Sequence, residues 1–288
     1  MKFYKILSEN ECHHTLQFQA GRVDDPVPFR KEGSCVTGGI YFAREDILAF
    51  LNYGPWIRTV TIPNDAQWVK DPGGSPEKWR ASSIILGERE RISLKIIKRL
   101  VKEGADIHAV DDYILYWAAE NGHLDVVKYL IEQDADIHAK KDHALRLAAE
   151  MGHLDVVKYL VDQGANIHAR YDYTLRRAAE KGHLNIVKYL IEQDADIHAM
   201  NDHALCWAAE MGRLDVVKYL VKQSADIHAM NDHPLLWAAR NGHLDVVKYL
   251  VDQGADIHAG DDKPIRWAAG MGHLDVVKYL KTQSTTDE

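Results

Sequence analysis

The sequence predicts a mainly helical repeat protein preceded by a small mixed α/β domain, and three observations support this fold class. Two phrases, G-H-L-D-V-V-K-Y-L and A-D-I-H-A, recur with small changes every 30 residues beyond about residue 92. Within each repeat, apolar residues recur at the spacing of two short helices. Before residue 92 this period is lost and short strand-like segments appear. We therefore expect an N-terminal domain over residues 1–87 and a repeat array over residues 88–288.

The second repeat shows why each unit is read as two helices. Leu145, Ala148 and Ala149 share the face of a first helix, and their small size admits a neighbouring helix closely. Gly152 then suits the positive φ that ends a helix and reverses the chain. Leu154 and Val157 begin the apolar stripe of a second helix. Neither helix is long enough to be stable alone, so stability must come from packing between neighbouring repeats.

The core A-A-x-x-G-H-L-x-V-V-x-x-L, followed by G-A-D-I-H-A, resembles the ankyrin repeat over about two thirds of the chain. The resemblance implies a solenoid with a leading half unit over 92–109 and six units after it, whose fingers and concave face dock partners. The unit here is shorter than the family's ~33 residues. The family's T-P-L-H phrase is replaced by His143-Ala144-Leu145-Arg146 and its equivalents, so we expect short fingers.

The first ninety residues predict strands over 3–7, 39–42, 57–62 and 83–86, helices over 45–51 and 88–103, and a loop over 71–76. This segment resembles the domain that precedes ankyrin arrays in many giant amoeba-virus proteins. That resemblance implies no known activity.

Composition and charge narrow the class of protein. Three scattered cysteines, no long apolar run and no secretory signal predict an intracellular protein, cytoplasmic (in the host cytoplasm if viral) or nuclear. The first 91 residues carry 12 basic and 12 acidic residues, so the net charge of −8 lies wholly in the repeats. This acidity disfavours nucleic acid as a partner. We expect a monomer without a bound cofactor.

Fourteen of the 16 histidines lie in the repeats, and most of them form two sets. The members of the first set are equivalent to His168, and those of the second set are equivalent to His153. Equivalent residues of stacked repeats are ~10 Å apart, too far to share a zinc ion with bonds of ~2.1 Å. We predict that these histidines form structural hydrogen bonds in turns. A zinc site from Cys12, His13, His14 and Cys35 is an alternative, although adjacent ligands and the absence of a Cys-x-x-Cys pair disfavour it.

An enzymatic N-terminal module is the alternative to a binding protein. His13, Tyr41 and the segment G-G-I-Y-F around Tyr41 resemble ADP-ribosyltransferase-type modules, but no catalytic glutamate can be assigned. The repeats would then target this enzyme. Phosphate-binding loops, nucleophile elbows and dinucleotide fingerprints do not occur in the sequence. We therefore predict a non-enzymatic interaction protein.

Variation between repeats locates the expected partner surface. The second helices are almost identical, whereas the finger and first helix vary at positions equivalent to 140, 141, 143, 144, 146, 147, 150 and 151. Drift at exposed positions is the alternative explanation. The varied positions form a basic half and an apolar half, which together fit a protein segment that carries acidic and bulky apolar residues. The predicted partner-binding residues are Lys140, Lys141, Arg146, Arg170, Arg176, Arg177, Lys181, Met200, Trp207, Met211, Met230, Leu236 and Trp237.

The tryptophans of this surface have a second possible role. Trp117, Trp207, Trp237 and Trp267 occupy one repeat position, so part of each ring could pack between repeats instead of contacting a partner. Nucleic acid on the basic half is the rival binding hypothesis, and the acidity of the whole array disfavours it.

Overall fold

The computed structural model describes residues 2–13, 16–27, 40–72 and 76–284. The chain divides into two compact units, Met1–Ala118 with His123–Ala139, and Ala119–Gly122 with Lys140–Glu288. The boundary between residues 87 and 88 stays a prediction.

Antiparallel strands form the N-terminal part of the first unit. β1, β6, β9 and β4 lie side by side in that order, and β10 also pairs with β6. A two-stranded sheet pairs β2 with β3, and a three-stranded sheet has the order β5-β8-β7. The strands are β1 (Phe3–Leu7), β2 (Cys12–His13), β3 (Leu16–Gln17), β4 (Gly21–Asp24), β5 (Ile40–Phe42), β6 (Trp56–Thr61), β7 (Trp68–Lys70), β8 (Trp79–Ala81), β9 (Ser83–Leu86) and β10 (Glu90–Arg91).

The core of these sheets is aliphatic and aromatic. Alternate residues of the strands, such as Ile84 and Leu86 on β9, are buried, as the period of a sheet face requires. A 3₁₀ helix over Glu45–Tyr53 buries Ile47, Leu48 and Leu51. The predicted strands over 3–7 and 83–86 are confirmed, as is the helical segment over 45–51.

The helix predicted over 88–103 is wrong at its start. Glu90 and Arg91 pair with β6, and the helix α1 begins only at Leu94 and ends at Lys102. Ser93 is fully extended just before it, with φ −158° and ψ 166°. The edge of β6 gives the backbone groups of β10 hydrogen-bond partners within the protein, whereas the first N–H groups of a helix have none within the helix. Of the predicted loop over 71–76, residues 73–75 lie outside the described part.

Helix pairs follow α1 and confirm the mainly helical repeat fold. Each first helix has 12 or 13 residues and each complete second helix between α3 and α11 has nine. They are α2 (Ala109–Glu120), α3 (Leu124–Glu132), α4 (Ala139–Met151), α5 (Leu154–Asp162), α6 (Ala169–Lys181), α7 (Leu184–Glu192), α8 (Ala199–Glu210), α9 (Leu214–Lys222), α10 (Ala229–Arg240), α11 (Leu244–Asp252), α12 (Ala259–Gly270) and α13 (Leu274–Ser284).

The predicted apolar stripes form the interior of the repeats. In α4, Ala148 and Ala149 are fully buried, and in α5 the same holds for Val157 and Leu160. First helices pack on first helices, as α6 does on α8 and α8 on α10. The small alanine side chains bring these helices together closely.

Candidate partner-binding surface

A left-handed turn stands at the start of every first helix. In α6 the residues Arg170, Tyr171 and Asp172 have φ values of 56°, 59° and 52°. Each such residue other than glycine costs about 1–2 kcal/mol relative to the right-handed conformation. Three in succession therefore require compensating contacts. The equivalent turns, called left-handed turns below, are residues 110–112, 140–142, 200–202, 230–232 and 260–262.

The aspartate that ends the turn supplies one set of these contacts. Asp172 is buried, and its Oδ1 accepts hydrogen bonds from His168 Nδ1 at 2.9 Å and from the Asp196 amide at 3.0 Å. The second bond reaches 24 residues along the chain, into the next repeat. Equivalent amide bonds join Asp136 to Asp112, Asn166 to Asp142, Asp226 to Asp202 and Asp256 to Asp232.

An arginine supplies the second set of contacts in some repeats. Arg146 Nη2 donates to the Lys140 carbonyl at 3.0 Å, and its Nε donates to the Lys141 carbonyl at 3.2 Å. Arg176 binds the Arg170 and Tyr171 carbonyls in the same way, at 2.9 and 3.2 Å. Each guanidinium thus bonds two carbonyls of its own left-handed turn.

The second set of repeated histidines bonds between repeats. His183 Nε2 lies 2.9 Å from the Glu150 carbonyl, and His153 and His243 bond the Glu120 and Glu210 carbonyls in the same way. Arg213, which replaces the histidine in its repeat, donates to the Glu180 carbonyl at 3.0 Å. The prediction that the repeated histidines make structural hydrogen bonds is confirmed.

The zinc alternative cannot be placed. The side chains of Cys12 and His13, and the whole of His14 and Cys35, lie outside the described residues. Within the part of the chain that the structure describes, no group of three or more His, Cys, Asp or Glu side chains has the arrangement of a metal site.

The predicted partner-binding residues differ widely in exposure. Lys140, Lys141, Arg170, Met200 and Met211 are exposed. Arg177, Lys181, Trp207, Met230 and Trp237 are half-buried. Arg146, Arg176 and Leu236 are only 6%, 7% and 3% exposed. The two arginines are buried because their guanidinium groups bond the left-handed turns, a role that sequence reasoning did not assign to them.

The arginines of the basic half gather around a tyrosine. The guanidinium carbons of Arg146, Arg170, Arg176 and Arg177 lie 5.6, 5.7, 5.2 and 5.8 Å from the centre of the Tyr173 ring. These distances fall within the range of cation–π attraction. Sequence reasoning missed Tyr173. The signal was present, since Tyr173 occupies a position that is histidine in three other repeats.

Acidic neighbours neutralise part of the basic half. Arg177 forms ion pairs with both Glu150 and Glu180, and the Lys181 ammonium lies 3.4 Å from a Glu180 carboxylate oxygen. Among the predicted basic residues, Lys140, Lys141 and Arg170 are the exposed ones.

The tryptophans of the apolar half contact neighbouring repeats. The Trp237 ring lies 5.9 Å from the Trp267 ring and 4.6 Å from the Arg240 guanidinium carbon. Trp207 lies 5.3 Å from the Arg176 guanidinium carbon. Both rings are half-buried, so each keeps part of its surface in solvent beside these contacts.

Met230 and Leu236 line a common cavity of about 340 Å³. The other lining residues are Asn231, Asp232, His233, Asp256, Ala259, Gly260 and Lys263. Nearby, burial raises the pKa of the Cys206 thiol to about 12, so this cysteine stays protonated and is a poor nucleophile.

The N-terminal module carries one unusual cation. The Lys5 ammonium donates to the Tyr41 carbonyl at 2.8 Å and lies 4.6 Å from the centre of the Phe18 ring. Burial lowers the pKa of Lys5 to about 8. These contacts concern the Tyr41 backbone, and the His13 side chain is not described, so the enzyme alternative stays a prediction. No helix in the described ranges has the length and apolar character needed to span a bilayer.

The chain belongs to the ankyrin-repeat family. The family model for ankyrin repeats matches three times, over residues 89–171, 172–231 and 228–287, which together make up more than half of the chain. The helix pairs and the repeated turns described above are the structural counterpart of these matches.

Several similar proteins belong to Acanthamoeba polyphaga mimivirus. The ankyrin repeat proteins R229, L100 and R868 are 39%, 32% and 30% identical to this chain over 135, 130 and 129 residues. Each match covers 42% of this chain, and the matches cover 44%, 21% and 62% of the three relatives. The matched region is thus less than two thirds of the length of each of these three relatives.

Proposed function

We propose that the chain binds a protein partner through the exposed side chains of the left-handed turns and first helices between residues 140 and 240. Ankyrin repeats are generally protein-interaction modules, and the observation that carries the proposal lies in the turns. One backbone framework, fixed by the buried aspartates, carries Lys140 in one repeat, Arg170 in the next and Met200 in the one after. A constant framework that presents different exposed residues is suited to recognition.

The charge of these exposed residues favours an acidic partner segment. Lys140, Lys141 and Arg170 are exposed cations in consecutive turns of a repeat array that is acidic overall. Tyr171 is 73% exposed, and Met200 and Met211 are 47% and 40% exposed. Tyrosine and methionine are enriched at protein interfaces. The partner segment therefore carries Asp or Glu beside bulky apolar residues.

We propose that this activity lies in the host cytoplasm, because the similar proteins belong to Acanthamoeba polyphaga mimivirus. The chain acts there as a scaffold or adaptor. Nucleic acid is a less suitable partner, since the exposed basic residues are few and lie within an acidic array.

Charge reversal of exposed residues tests the proposal. The full chain would capture partners from Acanthamoeba lysate at low salt, and the captured protein would then be purified. The triple variant Lys140→Glu, Lys141→Glu and Arg170→Glu should bind it at least about tenfold more weakly, mainly through slower association. Arg146 and Arg176 are left unchanged because their reversal would bury a carboxylate.

A matched control makes the result specific. The variant Lys158→Glu, Lys218→Glu and Lys248→Glu changes the net charge equally, at exposed positions of second helices. It should keep the affinity of the parent chain. If both triple variants bind equally well, or lose binding equally, the left-handed turns do not form the interface.

A further inference from the structure

Three repeats lack the arginine that bonds the left-handed turn, and in one of them a tyrosine takes its place. Arg146, Arg176 and Arg266 occupy one repeat position, and each donates to at least one carbonyl of its own turn. Tyr116 occupies the same position in an earlier repeat, and its hydroxyl lies 3.4 Å from the Val110 carbonyl. The corresponding residues of the remaining repeats are Cys206 and Leu236, which cannot reproduce this bonding.

In the Leu236 repeat the position of the missing guanidinium is a cavity. The cavity is lined by Met230, Asn231, His233 and Leu236. These are the repeat equivalents of Lys140, Lys141, His143 and Arg146. In the Arg146 repeat, the first three of these residues bind the guanidinium of the arginine. Among the described residues, no side chain donates a hydrogen bond to the Met230 or Asn231 carbonyl. The two residues whose carbonyls are equivalent to those that bind the Arg146 guanidinium therefore line a space of about 340 Å³.

The Cys206 repeat, which also lacks the guanidinium, contains a histidine nitrogen without a hydrogen-bond partner among the described residues. His143 Nδ1 lies 2.9 Å from Arg146 Nη2. The equivalent atom, His203 Nδ1, is buried and has no hydrogen-bond partner among the described residues. Burial, and then the charge of Arg176, lower the pKa of His203, so its ring is neutral at pH 7 and one nitrogen is an acceptor. The framework of the turn thus keeps its acceptors when the arginine is absent.

We propose that the cavity lined by Met230, Asn231 and Leu236 binds the guanidinium group of an arginine side chain from the partner protein. This inference rests on the proposed function. It adds an arginine side chain to the acidic segment as a second feature by which the partner is recognised. The bound group would occupy the position that the guanidiniums of Arg146 and Arg176 occupy in their own repeats. Asp232 and Asp256 also line the cavity and add negative charge.

Arginine suits this cavity better than lysine does. A planar guanidinium presents two parallel donors to the two carbonyls, whereas an ammonium is a compact and strongly hydrated charge. Lys263 lines the same cavity and is exposed, so its ammonium opposes a second cation. Removing that charge should strengthen binding of the arginine.

Binding of small probes to the full chain tests the inference without a partner. The probes are Nα-acetyl-arginine methylamide and its citrulline and lysine analogues, followed through the NMR signals of the His233 ring and the Met230 methyl group. The arginine probe should shift these signals in a saturable way, and the neutral citrulline analogue should bind about tenfold more weakly. Lys263→Gln should increase the affinity for the arginine probe.

Two substitutions complete the experiment. Leu236→Arg supplies the guanidinium from the chain itself, so it should abolish probe binding while the melting temperature stays equal to or above that of the parent. Leu236→Met keeps the cavity open and should keep probe binding. The inference is overturned if the arginine probe causes no saturable shift, if citrulline binds equally well, or if Leu236→Arg folds and still binds the probe. If the captured partner binds the parent chain and Leu236→Arg equally while the turn triple variant fails, the proposed function stands and this inference does not.

Discussion

Single buried polar groups decide how each repeat joins the next. Asp172 is 5% exposed, and it accepts one bond from a histidine of its own repeat and one from the amide of Asp196. A buried carboxylate is costly without such partners. The same residue compensates the backbone strain of the left-handed turn and fixes the next repeat at a defined distance. Its equivalents therefore act as both turn and interface residues.

Two histidines of the first helices make stability depend on pH. Burial is the main cause of the lowered pKa of His143 and His203, and the nearby Arg146 and Arg176 lower it further. The folded protein therefore binds protons more weakly at these rings than the unfolded chain does, whose histidines titrate near ~6.5. Their contribution to stability is complete above the unfolded pKa and is lost as the pH falls through the lower folded pKa.

We expect the free energy of unfolding of the variant His143→Gln, His203→Gln to fall less between pH 7.5 and pH 5 than that of the parent. Urea unfolding at both pH values gives the two differences. The remaining histidines are common to both proteins, so their effects cancel in the comparison. An equal or larger loss in the variant would show that these rings do not cause the dependence.

At the scale of the helix pair, two glycines have a positive φ but differ in the space around them. Gly152 lies between α4 and α5 with φ +88°, and a Cβ there would lie 2.7 Å from His183 Cε1. Gly164 follows α5 with φ +95°, and a Cβ there would meet no atom within 4 Å. Asp194 occupies the equivalent position in the next repeat with φ 65°, so a side chain is tolerated there. Of these two glycines, Gly152 alone combines a positive φ with close packing on another repeat.

We expect Gly164→Ala to cost about 1 kcal/mol, which is the backbone strain alone. Gly152→Ala should cost about 2–3 kcal/mol, because it also displaces His183 from the Glu150 carbonyl. Chemical denaturation of both variants measures the difference. Equal costs would mean that the His183 ring moves aside freely and that its hydrogen bond contributes little.

At the scale of the molecule, the second unit is a series of similar helix pairs that contact their neighbours in sequence. First helices pack in the order α6, α8, α10 and α12. The long-range hydrogen bonds of the turns and histidines span 24 and 33 residues, which is one repeat at a time. Stability of such an array is the sum of terms for repeats and for interfaces between neighbours. A local defect should therefore have a local effect that depends on its position.

We expect Ala178→Glu and Ala268→Glu to differ in how far their effects extend. Both alanines are fully buried, so each change places a charge in a helix contact and costs several kcal/mol, roughly 3 or more. The change at residue 268 should remove hydrogen-exchange protection mainly from α12 and α13, because they have repeats on one side only within the described residues. The change at residue 178 should affect the repeats on both sides. Hydrogen exchange followed by mass spectrometry locates the loss.

A matched control separates burial from charge. Gln163→Glu adds the same charge at an exposed position between helices, and it should leave protection unchanged throughout. Loss of protection over the whole second unit in both alanine variants would indicate all-or-none unfolding instead of a nearest-neighbour array.

Much of the candidate surface could be located from the sequence, but its chemistry could not. Comparison of the repeats identified the variable positions, and five of the thirteen predicted residues are exposed there. The comparison could not distinguish Arg170, which is exposed, from Arg176, which is buried against the turn carbonyls. Both are variable and basic. Their difference arises from the left-handed turn, which has no signal in hydrophobic periodicity because its residues vary from polar to apolar and lie outside the apolar stripe.

The sequence by itself determined the repeat length, the helix pairs, the buried alanine stripes and the structural role of the repeated histidines. These follow from local patterns that recur every 30 residues, and recurrence makes a weak pattern reliable. Only the tertiary structure decided the pairing of the N-terminal strands, because Glu90 and Arg91 join β6 through contacts distant in sequence. It also decided the left-handed turns and the cavity beside Leu236. Those depend on hydrogen bonds that buried aspartates accept and arginines donate, whose partners are defined only once the repeats are folded together.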